Sequence, residues 1–192
     1  MKKYVFTDET IVINGHTLRR IKALIDIPGF VKAGDLGGFI EKECLSLSHF
    51  GDAWVDGNAC VFGNARVLGN ALVAKEARVW GNASISDDAL VSGNACVFDN
   101  AHIYGNAYVT SNAHIYGNAF VSDYAWIFDD AQVYGNAWIF GHAHISYNAH
   151  VYGNAWVFDS ARVFGKARVF GIAEVFGDTC VFGNTRIKCR RH

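Results

Sequence analysis

From Gly51 to Lys188 apolar and polar positions recur every six residues, and no residue is inserted or lost. The segment reads GDAWVD, GNACVF, GNARVL, GNALVA and onward to GNTRIK, 138 residues in 23 hexads. The fifth residue is Val or Ile throughout, from Val55 to Ile187, and the third is Ala except at Thr179 and Thr185. Side chains two apart in an extended segment project to the same side, so each Ala-x-Val predicts a short strand with one small and one branched inward residue. The other positions commonly hold an aromatic residue, then Gly, then Asn. Gly and Asn are the types that accept positive φ and turn a chain. Each hexad is therefore predicted to be one side and one corner of a coil. Such coils stack at about 4.8 Å per layer, since no hexad can bury its apolar side alone.

Columns of residues at a fixed step set the number of hexads per coil. At a step of eighteen, Phe62, Trp80, Phe98, Tyr116, Tyr134, Tyr152 and Phe170 fall in one aromatic ladder that ends at Lys188, and Asn64, Asn82, Asn100, Asn118, Asn136 and Asn154 fall in another column. A step of twelve scatters both. The pattern thus predicts an all-β parallel helix with three hexads, or eighteen residues, per coil. The residue between Ala and Val sits at the centre of each flat face. One face carries Trp54, Leu72, Leu90, Tyr108, Trp126, His144, Arg162 and Cys180. The second carries Cys60, Arg78, Cys96, His114, Gln132, His150, Arg168 and Arg186, and the third Arg66, Ser84, His102, Phe120, Trp138, Trp156 and Glu174.

The chain divides into an N-terminal cap at residues 1–50, the hexad helix at 51–188 and a basic tail at 189–192. In the cap, apolar runs at Tyr4 to Phe6 and Ile11 to Ile13 precede an Asn14-Gly15 turn signal and the run Thr17 to Ile25. They predict a small antiparallel unit that covers the end of the helix. At the other end Lys188, Arg190, Arg191 and His192 make a charged edge that discourages stacking.

A strict run of hexads, with an aliphatic residue followed four places later by a small one and Asn before the small residue, resembles the left-handed β-helix of the bacterial hexapeptide-repeat family, the trimeric LpxA-like fold. Over LRRIKALIDIPGFVKAGDLGGFIEKECLSL and GDAWVDGNA the chain is similar to the YdcK-like hexapeptide proteins. The resemblance implies the left hand, against the right-handed crossover that physics favours, and it implies a trimer. Members of the family with acyltransferase activity bind acyl-CoA between subunits and use a histidine base. This chain departs from the family, which commonly has Gly directly after the aliphatic residue, by often placing an aromatic residue there.

Composition narrows the reading. The formal charge of -1 supplies no global field for nucleic acid, and the few C-terminal basic residues lack interleaved aromatics, which argues against nucleic acid as a partner. No window approaches eighteen consecutive apolar residues and MKKYVFTDET lacks an apolar signal region, so a cytoplasmic protein without a membrane span is expected. Cys44, Cys60, Cys96, Cys180 and Cys189 are odd in number without CxxC spacing, so they read as free thiols, not as a metal site.

A column of Trp54, Leu72, Leu90, Tyr108 and Trp126 spans roughly 20 Å of face and calls for a cover. Self-association is expected, with a homotrimer favoured and either this face or the Phe120, Trp138, Trp156 face inside; the N-terminal segment is the competing cover. The aromatic ladder reads as structural. His114 and His150 share a face but lie two layers apart, about 9.6 Å, with Gln132 between them, so a shared metal is not expected. The leading expectation is a non-enzymatic oligomeric helix that serves as a scaffold or partner-binding, even inhibitory, surface without a cofactor. The alternative is an acyltransferase that takes acetyl-CoA or another acyl-CoA, with His114 or His144 as base. The unbroken run of hexads leaves no loop to shape an acceptor pocket, which favours the first.

Overall fold

The computed structural model describes residues 2–43 and 46–189. Cys44 and the tail residues Arg190, Arg191 and His192 lie outside them. Three strands open the chain: β1 (Tyr4–Ile13), β2 (His16–Ala23) and β3 (Leu36–Ile40). Each of the hexads then supplies one short strand, from β4 (Trp54–Val55) to β26 (Arg186–Cys189).

Strand partners are eighteen residues apart and parallel. Leu90 pairs with Leu72 and Tyr108, Cys96 with Arg78 and His114, and His102 with Ser84 and Phe120. Three sheets of eleven, eight and seven strands result, one per face. The protein is thus a parallel β-helix with three hexads per coil, and the three face columns read from the sequence are the three sheets. The inward Ala and Val or Ile columns are fully buried from Ala53 to Val169. In the last coil, where no further layer covers the core, the inward small position holds Thr179 and Thr185, and both are exposed.

The turns separate the roles of Gly and Asn. The first residue of every hexad has positive φ, whether it is Gly or one of Lys75, Asp87, Asp99, Ser111, Asp123, Asp129, Tyr147 and Asp159. The Asn that follows does not, so it is not a left-handed turn residue. It builds a ladder: Asn64 donates to Asn82 at 3.1 Å, Asn82 to Asn100 at 2.9 Å, and the chain of amides continues through Asn118 and Asn136 to Asn154. Where Asp replaces Gly at the turn, its carboxylate accepts the amide of the residue eighteen places on, as Asp87 does from Gly105 at 3.0 Å and Asp129 from Tyr147 at 3.1 Å.

Hydrogen bonding gives the rod a direction. Amides of the second, fourth and sixth hexad residues donate to carbonyls seventeen residues later, as Asn58, Cys60 and Phe62 do to Lys75, Ala77 and Val79. The first regular coil takes its donors from the cap: the amides of Phe39, Glu41 and Ser48 donate to the carbonyls of Ala59, Val61 and Val67, and cations of the cap meet the turn carbonyls and that of Ala53. Lys3 Nζ donates to the carbonyls of Gly51 at 3.1 Å and Ala53 at 2.6 Å, Arg20 Nη1 to Gly57 at 3.0 Å, and Lys42 Nζ to Gly63 at 2.8 Å. Each corner of the triangular end thus receives one cation.

The predicted hairpin is β1 and β2, paired antiparallel through the Asn14-Gly15 turn. The third strand, β3, pairs antiparallel with β2 and parallel with the second face, through Phe39 to Cys60 and Ile40 to Val61. Leu47 stacks likewise on Val67. Layering therefore starts before Gly51, which marks only the first regular hexad. The fit is close: a Cβ on Gly38 would lie 2.5 Å from the Ala59 carbonyl oxygen, and one on Gly37 would lie 2.7 Å from the Trp54 ring. Trp54 is consequently fully buried. Its assignment to an exposed face is corrected, because the cap and not a subunit covers it.

Candidate interaction surface

Tyr108, Trp126, Trp138 and Trp156 remain 40%, 46%, 38% and 42% exposed, while Leu72, Leu90 and Phe120 are half-buried. These side chains project outward because they stand between the two inward residues of their strands. On the third face the rings run in a column, with His102 on Phe120 at 5.0 Å, Phe120 on Trp138 at 4.8 Å and Trp138 on Trp156 at 5.8 Å between centroids. On the first face Tyr108 meets Trp126 edge-on at 5.9 Å, and His144 stacks on Trp126 at 5.5 Å.

The two faces meet at a corner that is itself aromatic. Phe140, Phe158 and Phe176 stack there, and Phe140 abuts Trp156. Just past the turn, Tyr124 is 55% exposed and stacks on His142. The result is one belt in the fourth to sixth coils that wraps from Trp138 and Trp156 around the corner to Trp126 and Tyr108. Reading faces one at a time misses it. Tyr124 and His142 stand where the four preceding coils have Asp52, Asn70, Asp88 and Asn106, and that substitution is the signal that was available.

The long ladder from Phe62 to Phe170 is as expected, with centroids 4.4 to 5.9 Å apart and near-parallel planes. His16 closes it at the cap, 5.2 Å from Phe62, and the Lys188 ammonium lies 5.6 Å from the Phe170 centroid at the other end. His16 is held in turn by Glu41, which also accepts the Gly63 amide. Because each ring lies flat on the next, the ladder shows solvent its ring edges. Sugars stack on ring faces, so this corner is structural.

The histidines do not assemble a catalytic group. His114 and His150 lie on either side of Gln132 in successive strands of the second face, and His144 is on the first. Neither His114 nor His144 has a side-chain hydrogen bond among the described residues, so no hydrogen-bonding partner sets either ring as a base. Burial, with Arg162 and His142 nearby, lowers the pKa of His144; burial and Arg168 lower that of His150. Among the described residues no three His, Cys, Asp or Glu come together as metal ligands. Burial pushes the Cys60 thiol up to about 11, which makes it a poor nucleophile. Depressions of about 210 Å³ at Tyr108 and Trp126 and about 240 Å³ at Trp138 and Trp156 are shallow and open. Both are smaller than the sites of about 300 to 1,000 Å³ that enclose small ligands.

Fold and surface together define a β-solenoid of eighteen-residue coils with a flat aromatic belt. The chain matches no family model and no curated protein.

Proposed function

We propose that this protein is a non-enzymatic, oligomeric β-helix that serves as a scaffold, and that its subunits associate through the belt formed by Tyr108, Tyr124, Trp126, Trp138, Phe140 and Trp156. The observation that carries the reading is the exposure of three tryptophans within two layers of one corner. Monomers seldom leave contiguous apolar patches of that kind uncovered. Residues 87–161 contain no Lys or Arg, so packing this region against a copy of itself desolvates no cation. A flat, ring-edged strip also fits the flat side of another rod better than it encloses a small molecule. The preferred assembly is a homotrimer with the belts turned inward.

Light scattering tests it. The expected mass is three times the 21.1 kDa of the chain, and Trp138→Lys combined with Trp156→Lys is expected to give a folded monomer. A wild-type monomer at high concentration overturns the reading. Binding and turnover of acetyl-CoA that disappear with His144→Ala or His114→Ala would replace it by the acyltransferase alternative.

A further inference from the structure

A second corner, between the first and second faces, has a different chemistry in the last three coils. Arg162 on the first face, Lys166 just past the turn, and Arg168 and Arg186 on the second face are all exposed. Arg168 and Arg186 are direct neighbours in adjacent strands. None of the four forms an ion pair among the described residues. Between them stands the corner pair Phe164 and Phe182, stacked at 5.5 Å with planes 16° apart. Phe182 belongs to the last coil and is 56% exposed, and no further ring covers its outer face among the described residues.

One layer below Gly165 in the same turn column is Tyr147, 58% exposed with φ of 54°. Most turn positions of this rod hold Gly, and a bulky residue there is strained. The Asp129 carboxylate holds the Tyr147 amide in place. With Gly165 and Gly183 above it in the column, the Tyr147 ring has no side chain stacked over it from the turn. Strain retained at an exposed aromatic residue beside unpaired cations points to use of that side chain. Asp129 and Asp130 bound the cationic area on its inner side, while Glu174 and Asp178 lie away from this corner.

Cations interleaved with exposed ring faces match a flexible polyanion whose units carry flat aromatic groups. We propose that the corner carrying Tyr147, Phe164 and Phe182 binds single-stranded nucleic acid, with Arg162, Lys166, Arg168 and Arg186 on phosphates and with Tyr147 and Phe182 stacking on bases. Tyr147 and Phe182 stand two layers apart, about 9.6 Å, which leaves room for a phosphate between two stacked bases. A duplex hides its base faces and gains only the charge contacts. The linear sequence conceals the site, since Phe164 and Phe182 come between the arginines only after the chain has coiled.

The test is fluorescence anisotropy with a labelled oligothymidylate of about twelve nucleotides, a duplex of equal length and a heparin fragment. Four phosphate contacts predict a log–log salt slope of about -3 for the single strand. Arg168→Glu with Arg186→Glu is expected to lower affinity at least tenfold and to bring the slope near -1.4. Phe182→Ala and Tyr147→Gly are each expected to weaken binding about tenfold with the slope unchanged. Circular dichroism and thermal melting establish that each variant is folded. Failure of the wild type to bind the oligonucleotide at low salt overturns the proposal. So does heparin or duplex binding as tight as the single strand with the ring variants neutral, which would define a charge-only surface.

Discussion

The Lys3 ammonium donates to the carbonyl of Ala53 at 2.6 Å, across fifty residues of chain. In the body of the rod that carbonyl position receives an amide from the coil before; at the first coil a lysine replaces the missing layer. Lys3→Met is therefore expected to leave the Gly51 and Ala53 carbonyls without donors. The unsatisfied pair should lower stability by about 2 kcal/mol, read as a lower denaturant midpoint. An unchanged midpoint would mean that water reaches these carbonyls.

The same residue sets a pH dependence. Burial lowers the Lys3 pKa to about 8 from 10.5, against the raising effect of Asp52. Above pH 8 the unfolded chain then holds more protons than the folded one, so stability rises with pH. From pH 9 Cys60 offsets this rise, since its thiol stays protonated to about 11 in the fold while the unfolded thiol ionises near 9. Half-buried Tyr116 and Tyr134, also shifted upward, turn the balance to a fall above pH 10. Melting temperature should increase between pH 8 and 9, and that increase should vanish in Lys3→Met.

Tyr147→Gly should stabilise the fold while it weakens the proposed nucleic-acid contact. Left-handed φ costs a non-glycine residue about 1 kcal/mol, and Gly is already the usual occupant of this turn position. A midpoint that drops on this replacement would show that the ring supports the fold, and the strain argument would fail.

Asn100 accepts from Asn82 and donates to Asn118, whereas Asn154 at the ladder end only accepts, from Asn136. Asn100→Ala is expected to cost about 1 to 2 kcal/mol and Asn154→Ala about half as much. Equal losses would mean that the amides act separately and not as a ladder.

Gly38→Ala should displace the cap, because its Cβ would lie 2.5 Å from the Ala59 carbonyl oxygen and 2.7 Å from Val55. The exposed first coil then offers an unpaired edge. The expected result is concentration-dependent aggregation with the β circular-dichroism signal retained; a soluble variant of normal stability would show that the cap can shift aside.

The body of this fold was legible because its physics is local and periodic. Val, Ile and Ala at fixed positions establish which side is inside, and columns eighteen apart place Trp138 under Trp156. The cap was legible only as a hairpin. That Lys3, Arg20 and Lys42 satisfy Gly51, Ala53, Gly57 and Gly63 depends on contacts 21 to 50 residues apart, between segments that share no repeat. The burial of Trp54 was missed for the same reason. The candidate surfaces were half legible. Each column was correct, but Tyr124 beside Trp126, and Phe164 between Arg162 and Arg168, gain meaning only when neighbouring columns are joined around a corner.

The three-hexad coil makes length and orientation separable. Removal of residues 87–104, eighteen in all, would shorten the rod by one layer of about 4.8 Å and leave the belt and the basic corner in phase with the cap. Removal of a single hexad would instead turn everything beyond it by a third of a revolution, so that the belt would face where another side had been. Eighteen residues are thus the smallest step by which this chain can change its reach without changing its aim.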